Sequence, residues 1–147
     1  MPFVRIWVHL IWSTKNREPM LHKEARPSIF EHIKSNARDK NIYLDTIGGY
    51  TEHVHTLISL KADQTISQVA QLLKGESSHW VNKNKVIKLK LQWQDEYIAV
   101  SVSESMVDVV REYIRDQEEH HRKKSFAEEY EEDLRKYGFS VLGLKSK

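Results

Sequence analysis

Two histidines, His53 and His55, flank Val54 in a stretch whose composition is typical of a β-strand. Side chains two positions apart on a strand point to the same face, with Cα atoms roughly 7 Å apart. Two neutral imidazoles in that arrangement can bind one divalent cation from one side. The chain has eight histidines, and an isolated His-x-His pair is more often exposed or hydrogen-bonded on its strand than bound to a metal. The pair alone is therefore a weak signal.

Tyr113 and Gln117 are four positions apart in a segment with helical periodicity, so they share one helix face, about 6 Å apart at Cβ. A phenol oxygen can attack phosphorus in covalent catalysis. A neutral glutamine oxygen can complete a metal site whose other ligands are histidines. The alternative is an interface tyrosine beside a surface glutamine. Arg111 and Arg115 add positive charge that suits either a phosphate or ion pairs with neighbouring glutamates.

The elements that would position these residues follow from hydrophobic periodicity and from turn signals. Strands are predicted at 3–12, 42–47, 52–60 and 96–102. Helices are predicted at 22–39 with a start nearer Arg26, from 63 or 65 past Gly75 to 81, from 103 or 105 to 117, and at 126–137. The order β-α-β-β-α-β-α predicts an α+β fold of the ferredoxin-like, split βαβ class, an antiparallel sheet with helices on one face.

Composition limits the class of protein. A length of 147 residues predicts one domain, and 39% hydrophobic with 30% charged residues is ordinary for a globular chain. No apolar run approaches the roughly 20 residues of a membrane helix, and the apolar stretch 3–12 is interrupted by Arg5 and His9. Cysteine is absent, so no disulfide and no thiolate is available. We expect a cytoplasmic protein without a secretory signal.

The net charge of +2 hides a local asymmetry. No carboxylate occurs between Glu76 and Asp95, whereas this window contains four lysines: Lys83, Lys85, Lys88 and Lys90. The chain turns acidic after Gln117, so the acidic tail masks a basic region in the overall count. The region between Lys83 and Gln92 is predicted to be a basic connector. It is either a solvated surface or a nucleic-acid contact.

The combination of motifs is more specific than any one of them. A Lys-Gly pair that marks a helix end, Lys74-Gly75, lies between the His-Val-His strand and the Tyr-x-x-x-Gln helix. With its surroundings, the sequence resembles the single-tyrosine HUH transposases of small bacterial insertion sequences, including their REP-associated relatives. The resemblance covers about residues 3–121, and the matching stretches are 9–15, 49–55, 72–78, 91–97 and 110–117.

This resemblance implies a set of roles. His53, His55 and Gln117 would be the metal ligands and Tyr113 the nucleophile. The cofactor would be Mg²⁺ or Mn²⁺. The activity would be cleavage and rejoining of single-stranded DNA through a 5′-phosphotyrosine intermediate. The DNA contacts would come from basic residues, of which the sequence offers Lys15, Arg17, Lys74, Lys83 and Lys85. The chain departs from the family at 100–105, where a glycine is common after the fourth strand.

The resemblance also implies partners: single-stranded DNA with hairpin ends, and a second copy of the chain. In many members of the family the tyrosine helix of one subunit completes the site of the other. The apolar first strand adds a physical argument, because such a strand at a sheet edge would need a cover. That cover is either a partner chain or the C-terminal helix, through Phe126, Tyr130 and Leu134.

Other interpretations stay open. A domesticated relative that processes hairpin repeats would keep the same catalytic residues, and a non-catalytic DNA-binding module could use the same fold. A histidine-triad nucleotide hydrolase is a poor match, because its strand needs a third alternating histidine and position 57 is Leu57. The domain is expected to span 1–147, with a core at about 3–121 and a helical tail at 122–147.

Overall fold

A computed structural model describes residues 2–121, together with Glu128 and Glu132. The strands are β1 (Ile6–Ser13), β2 (Tyr43–Gly49), β3 (His53–Leu60) and β4 (Ile98–Val102). The helices are α1 (Arg26–Asp39), α2 (Ile66–Lys83), α3 (Val107–Arg115) and α4 (Gln117–His121), with short 3₁₀ turns at Lys15–Arg17 and Glu104–Met106. The predicted tail at 122–147, including the helix at 126–137, lies outside the described residues apart from those two glutamates. None of the described helices is long and apolar enough to cross a membrane.

The four strands form one antiparallel sheet in the order β2-β3-β1-β4. This confirms the predicted α+β, ferredoxin-like class. The two strands that are adjacent in the centre, β1 and β3, pair along their full lengths, from Ile6 with Leu60 to Ser13 with His53. The expectation that the apolar β1 is an edge strand was wrong. Its hydrophobicity is explained by its central position in the sheet and by the packing of both of its faces against helices, so it gives no support to a dimer.

Helices cover both faces of the sheet. On one face, Leu10 and Ile58 belong to the large core that α1 and α2 complete. On the other face, Trp7 and Leu57 pack with Ile114 of α3. The prediction that the helices share one face therefore holds for α1 and α2 but not for α3. The physical reason is the alternation along β1 and β3, which are apolar on both sides and need a cover on each.

Three local expectations change in the structure. The helix α2 begins at a capping box between Thr65 and Gln68 and continues without a break to Lys83. The Lys74-Gly75 pair therefore lies in mid-helix rather than at a helix end, and Lys83 belongs to α2 rather than to the connector. The helix predicted to run through Gln117 instead ends at Arg115 and restarts as α4.

The turn after β4 forms without the glycine that is common in the family. Ser103, which precedes the 3₁₀ turn there, has a φ of −70°, a value that any residue adopts. The departure at 100–105 therefore costs the backbone nothing at this residue.

An ion pair fixes α3 on β2. Arg111 donates from Nε and Nη2 to the two carboxylate oxygens of Asp45, at 2.8 and 2.9 Å, and from Nη1 to Asp108 at 2.7 Å. Asp45 lies at a bulge in β2, between Leu44 and Thr46, where the pairing with β3 shifts register. Hydrogen bonding from Arg111 holds the pKa of Asp45 below its ordinary value. Arg111 thus pairs with two aspartates, not with the glutamates that follow it in sequence.

We expect Asp45→Asn to lower Tm by a few degrees at pH 7 and by less at pH 3. A carboxyl group whose pKa is lowered by folding stabilises the folded protein at every pH above the pKa that the group has in the unfolded chain, here 3.8. It loses that contribution as the pH falls through the folded pKa. Thermal unfolding of both proteins between pH 3 and pH 7 measures the difference.

Asp108→Asn is the matched control, because its side chain is 91% exposed and its pair with Arg111 should contribute little. A Tm difference between wild type and Asp45→Asn that stayed constant from pH 7 to pH 3 would contradict the assignment.

Candidate active site

The two strand histidines lie on the sheet face that α3 covers. His53 and His55 are fully buried, and their ring centroids are 4.8 Å apart with planes at 78°. They are positioned from one side by the central strand, since His55 pairs with Ile11 and His53 with Ser13. The alternation of β3 therefore brings the two imidazoles together in a water-poor environment.

Hydrogen bonds orient the imidazole of His53. Its Nδ1 lies 2.9 Å from a carboxylate oxygen of Glu52, which can only accept, so Nδ1 donates. Its Nε2 lies 3.1 Å from Oε1 of Gln117. The amide of Gln117 is oriented in turn, because its Nε2 donates to the carbonyl oxygen of Tyr113 at 3.1 Å. A ring nitrogen of His53 and an amide oxygen thus face each other.

A ring nitrogen and an amide oxygen are both atoms that a divalent cation can bind. Neighbouring ligands of an octahedral ion with bonds of about 2.1 Å are separated by about 3 Å, so His53 and Gln117 suit adjacent ligand positions. Glu52 on Nδ1 provides the carboxylate–histidine pairing that commonly supports a metal ligand. No group of three or more His, Cys, Asp and Glu residues that could hold a metal ion is found among the described residues, and the candidate donors are the histidine pair and the amide oxygen of Gln117. The donor set fits a divalent ion of the Mg²⁺ or Mn²⁺ kind.

Tyr113 lies beside the histidines of its own chain. Its half-buried ring contacts His55 edge-on, with centroids 5.6 Å apart and planes at 81°. A second edge-on contact joins Tyr113 to His9, at 6.0 Å and 80°. The helix α3 therefore places a phenol, a possible nucleophile, next to the candidate metal ligands.

Sequence reasoning missed the part of His9. This residue is 1% exposed in the middle of β1, and its Nε2 lies 2.9 Å from Nδ1 of His55. The available signal was a polar residue on an otherwise apolar central strand, where burial requires a hydrogen-bonding partner. In the sequence, His9 interrupts an apolar run and begins one of the stretches that resemble the family, and no role in the site was predicted for it.

Gln117 is held by a contact that was not predicted either. It is the first residue of α4, and the next residue, Glu118, accepts a hydrogen bond from Nη2 of Arg26 at 2.5 Å. Arg26 is buried at the start of α1 and also donates to the carbonyl oxygen of Leu21. This guanidinium lowers the pKa of the Glu118 carboxyl. The pair connects α4 to α1 next to the amide of Gln117.

The basic residues separate into groups. Lys15 and Lys83 line one cleft of about 740 Å³ together with Lys90 and Trp93. Arg17 lines a smaller cleft of about 300 Å³, which includes Ile11 and Ser13. Those two β1 residues pair with His55 and His53, so the smaller cleft adjoins the histidine site.

Lys74 and Lys85 are placed differently. Lys74 donates from Nζ to the carbonyl oxygens of Gln94 at 2.6 Å and Asp95 at 3.0 Å, and burial lowers its pKa. It therefore supports the segment before β4. Lys85 follows α2 in a left-handed conformation with φ of 50° and lines neither of those two clefts.

The family model described as "Transposase IS200 like" matches residues 3–117. This chain belongs to that family, whose members process DNA and generally use a divalent metal ion.

Individual relatives agree with this assignment. The chain is 28% identical over 114 residues to the ISDra2 transposase TnpA of Deinococcus radiodurans, covering 74% of this chain and 81% of that protein. It resembles a crystal structure from D. radiodurans R1, described provisionally as a transposase, with a TM-score of 0.64, 23% identity, and coverage of 79% of this chain and 93% of that one.

A second solved structure shares the fold. It is a REP-associated tyrosine transposase bound to a REP hairpin, with a TM-score of 0.58 and 17% identity. The similarity covers 79% of this chain and 68% of that one. At this identity the likeness concerns the fold alone.

We expect Gly48→Ala to displace α3 and to destabilise the protein by roughly 1–3 kcal/mol, as overpacked sites do. A Cβ at Gly48 would lie 2.2 Å from the carbonyl oxygen of Ile114, next to Tyr113. Urea unfolding measures the loss of stability, and the adduct assay described below measures the displacement of the phenol.

Gly75→Ala is the matched control. A Cβ there meets nothing within 4 Å, and alanine in mid-helix is favoured over glycine by about 0.5–1 kcal/mol. Wild-type stability in Gly48→Ala would show that α3 does not approach β2 as closely as described.

Proposed function

We propose that this protein is a transposase that cleaves and rejoins single-stranded DNA through a 5′-phosphotyrosine intermediate. In this proposal Tyr113 is the nucleophile, and His53, His55 and Gln117 hold Mg²⁺ or Mn²⁺. The observation that carries the proposal is the contact of the Tyr113 ring with His55, inside a site where the Gln117 oxygen faces His53. Family membership supports the reaction class.

The chemistry follows from the groups present. When bound, the divalent ion would polarise a non-bridging oxygen of the scissile phosphate. The phenol oxygen of Tyr113 loses its proton and forms a bond to phosphorus, and the 3′ oxygen leaves as a free hydroxyl. The phosphotyrosine keeps the energy of the phosphodiester, so the 3′ hydroxyl of a second strand can attack it and release Tyr113.

The basic clefts support single-stranded DNA as the substrate. Lys15, Lys83 and Lys90 combine positive charge with Trp93 along one cleft, and such pairing of cations with an aromatic ring suits a flexible strand. Arg17 in the adjoining cleft would bring the phosphate backbone towards His53 and His55. Hairpin ends are proposed because a structural neighbour is described as bound to a REP hairpin.

A domesticated enzyme that processes hairpin repeats is the second candidate, favoured by that same neighbour. It would use the same residues, so the flanking DNA distinguishes the two: subterminal hairpins on both sides of the gene identify a mobile element. A non-catalytic binding module is less consistent with Tyr113 placed against buried His55.

The intramolecular contact also supports a site completed in cis. Tyr113 contacts His55 of the same chain, so the described residues bring the nucleophile and the candidate ligands together without a partner. Completion in trans, which the resemblance implies for many members, would require α3 to leave Asp45 and the Ile114 packing. A homodimer stays a prediction that light scattering at micromolar concentration tests.

We expect wild-type protein to form an SDS-resistant adduct with a single-stranded oligonucleotide from its element ends when Mn²⁺ or Mg²⁺ is present. Tyr113→Phe should abolish the adduct, because it removes the attacking oxygen and keeps the ring that packs against His55. Gel electrophoresis of the labelled oligonucleotide measures the adduct, and DNA binding should stay within a few-fold of wild type.

EDTA, His53→Ala and His55→Ala should each remove the adduct, whereas Tyr43→Phe, a control at an exposed tyrosine that lines neither of those clefts, should not. An adduct that persists in Tyr113→Phe would identify another nucleophile. Full-rate cleavage in EDTA would refute the metal assignment.

For the cis arrangement, we expect a mixture of Tyr113→Phe protein with His53→Ala/His55→Ala protein to stay inactive. Each site within one chain then lacks either the phenol or the ligands. The adduct assay after subunit exchange provides the measurement. Recovery of adduct in the mixture would show that α3 acts in the partner's site.

A further inference from the structure

The buried ring of His9 contacts both a candidate metal ligand, His55, and the candidate nucleophile, Tyr113. Its centroid is 5.1 Å from that of His55 and 6.0 Å from that of Tyr113. His9 comes from the central strand β1, where its paired position is Leu57, two residues from His55 on the same face of β3. Strand register alone therefore places His9 diagonally beside His55.

The contact between the two imidazoles makes their tautomers depend on each other. His9 Nε2 and His55 Nδ1 are 2.9 Å apart, so one of them donates and the other accepts. A neutral His55 that gives the lone pair of Nε2 to a cation carries its proton on Nδ1. Nδ1 of His55 then donates to Nε2 of His9, and the proton of His9 is on Nδ1.

We propose that His9 is a positioning residue, which holds His55 in the tautomer and ring orientation that present Nε2 to the divalent ion. The inference rests on the proposed function, since it assumes that His55 is a metal ligand. Glu52 orients His53 in the same way, because its carboxylate accepts a hydrogen bond from Nδ1 of His53 at 2.9 Å. The two ligand histidines are thus oriented from outside by different residues, one acidic and one neutral.

If His9 had a packing role alone, a different set of side chains could replace it at position 9. The site is fully enclosed, so any aromatic ring of similar size would fill it, and only a group with a polar atom near Nε2 would accept from His55. His9→Phe keeps a ring and removes the acceptor. His9→Gln places an amide near the same position and keeps an acceptor.

The test is Mn²⁺ binding to the full-length protein without DNA, measured by calorimetry and by electron paramagnetic resonance. His9→Phe should weaken binding by about 10- to 100-fold, as loss of an outer hydrogen bond to a metal-bound histidine does, and His9→Gln should weaken it less. His32→Phe is the matched control. His32 lies on the other side of the sheet, where its ring stacks on Trp80 at 3.9 Å and is hydrogen-bonded to Glu76. Its replacement should leave the Mn²⁺ affinity unchanged.

A second measurement does not depend on any variant. Long-range ¹H–¹⁵N correlation spectra of the wild-type protein identify the protonated ring nitrogen of each histidine. The proton of His55 should be on Nδ1. This spectrum keeps the inference testable if His9→Phe does not fold, a condition that circular dichroism checks.

The outcomes separate the two proposals. A folded His9→Phe protein that binds Mn²⁺ as tightly as wild type overturns the role of His9 and leaves the metal site standing. A His55 proton on Nε2 also overturns it. A wild-type protein that does not bind Mn²⁺ overturns both the metal site and the role of His9 towards it.

Discussion

The close approach of α3 to β2 is the constraint on which the site depends. The backbone of Ile114 lies so near Gly48 that a single added carbon would collide with its carbonyl oxygen. Arg111 holds the helix to Asp45 one turn earlier, and the buried side chain of Ile114 packs with Trp7 and Leu57. Because Tyr113 precedes Ile114, the same contacts that seal this face of the sheet determine where the phenol lies.

The two faces of the sheet differ in the kind of side chains that they bury. The face under α1 and α2 holds most of the apolar core, with Leu10, Val54 and Ile58 fully buried. The face under α3 buries three histidines and a glutamine among fewer apolar groups, and burial of that kind is unfavourable unless each polar group is satisfied. The large core thus provides the stability that allows a polar cluster to be enclosed on the opposite side.

Sequence reasoning was sufficient for features that depend on local periodicity. The order of strands and helices along the chain, the capping of α2 and the shared face of His53 and His55 follow from patterns of two and of 3.6 residues. Features that depend on pairing between distant segments could not be predicted from the sequence. The central position of β1, the helix on the second face and the bond between His9 and His55, 46 residues apart, are set by register, which one strand's sequence does not specify. The break between α3 and α4 likewise interrupts a continuous helical pattern.

The contacts of the Gln117 amide limit which other residues could replace glutamine at this position. Its nitrogen donates a hydrogen bond to the main chain of Tyr113, and its oxygen faces His53. Both contacts are therefore made by one planar group. A glutamate has the same length and would be a stronger ligand for a hard cation, yet it would set an anionic oxygen against the Tyr113 carbonyl. A histidine would be too short and too rigid to make both contacts. Conservative exchange is therefore restricted here by the backbone of Tyr113, which makes the candidate ligand and the candidate nucleophile dependent on each other in sequence as well as in space.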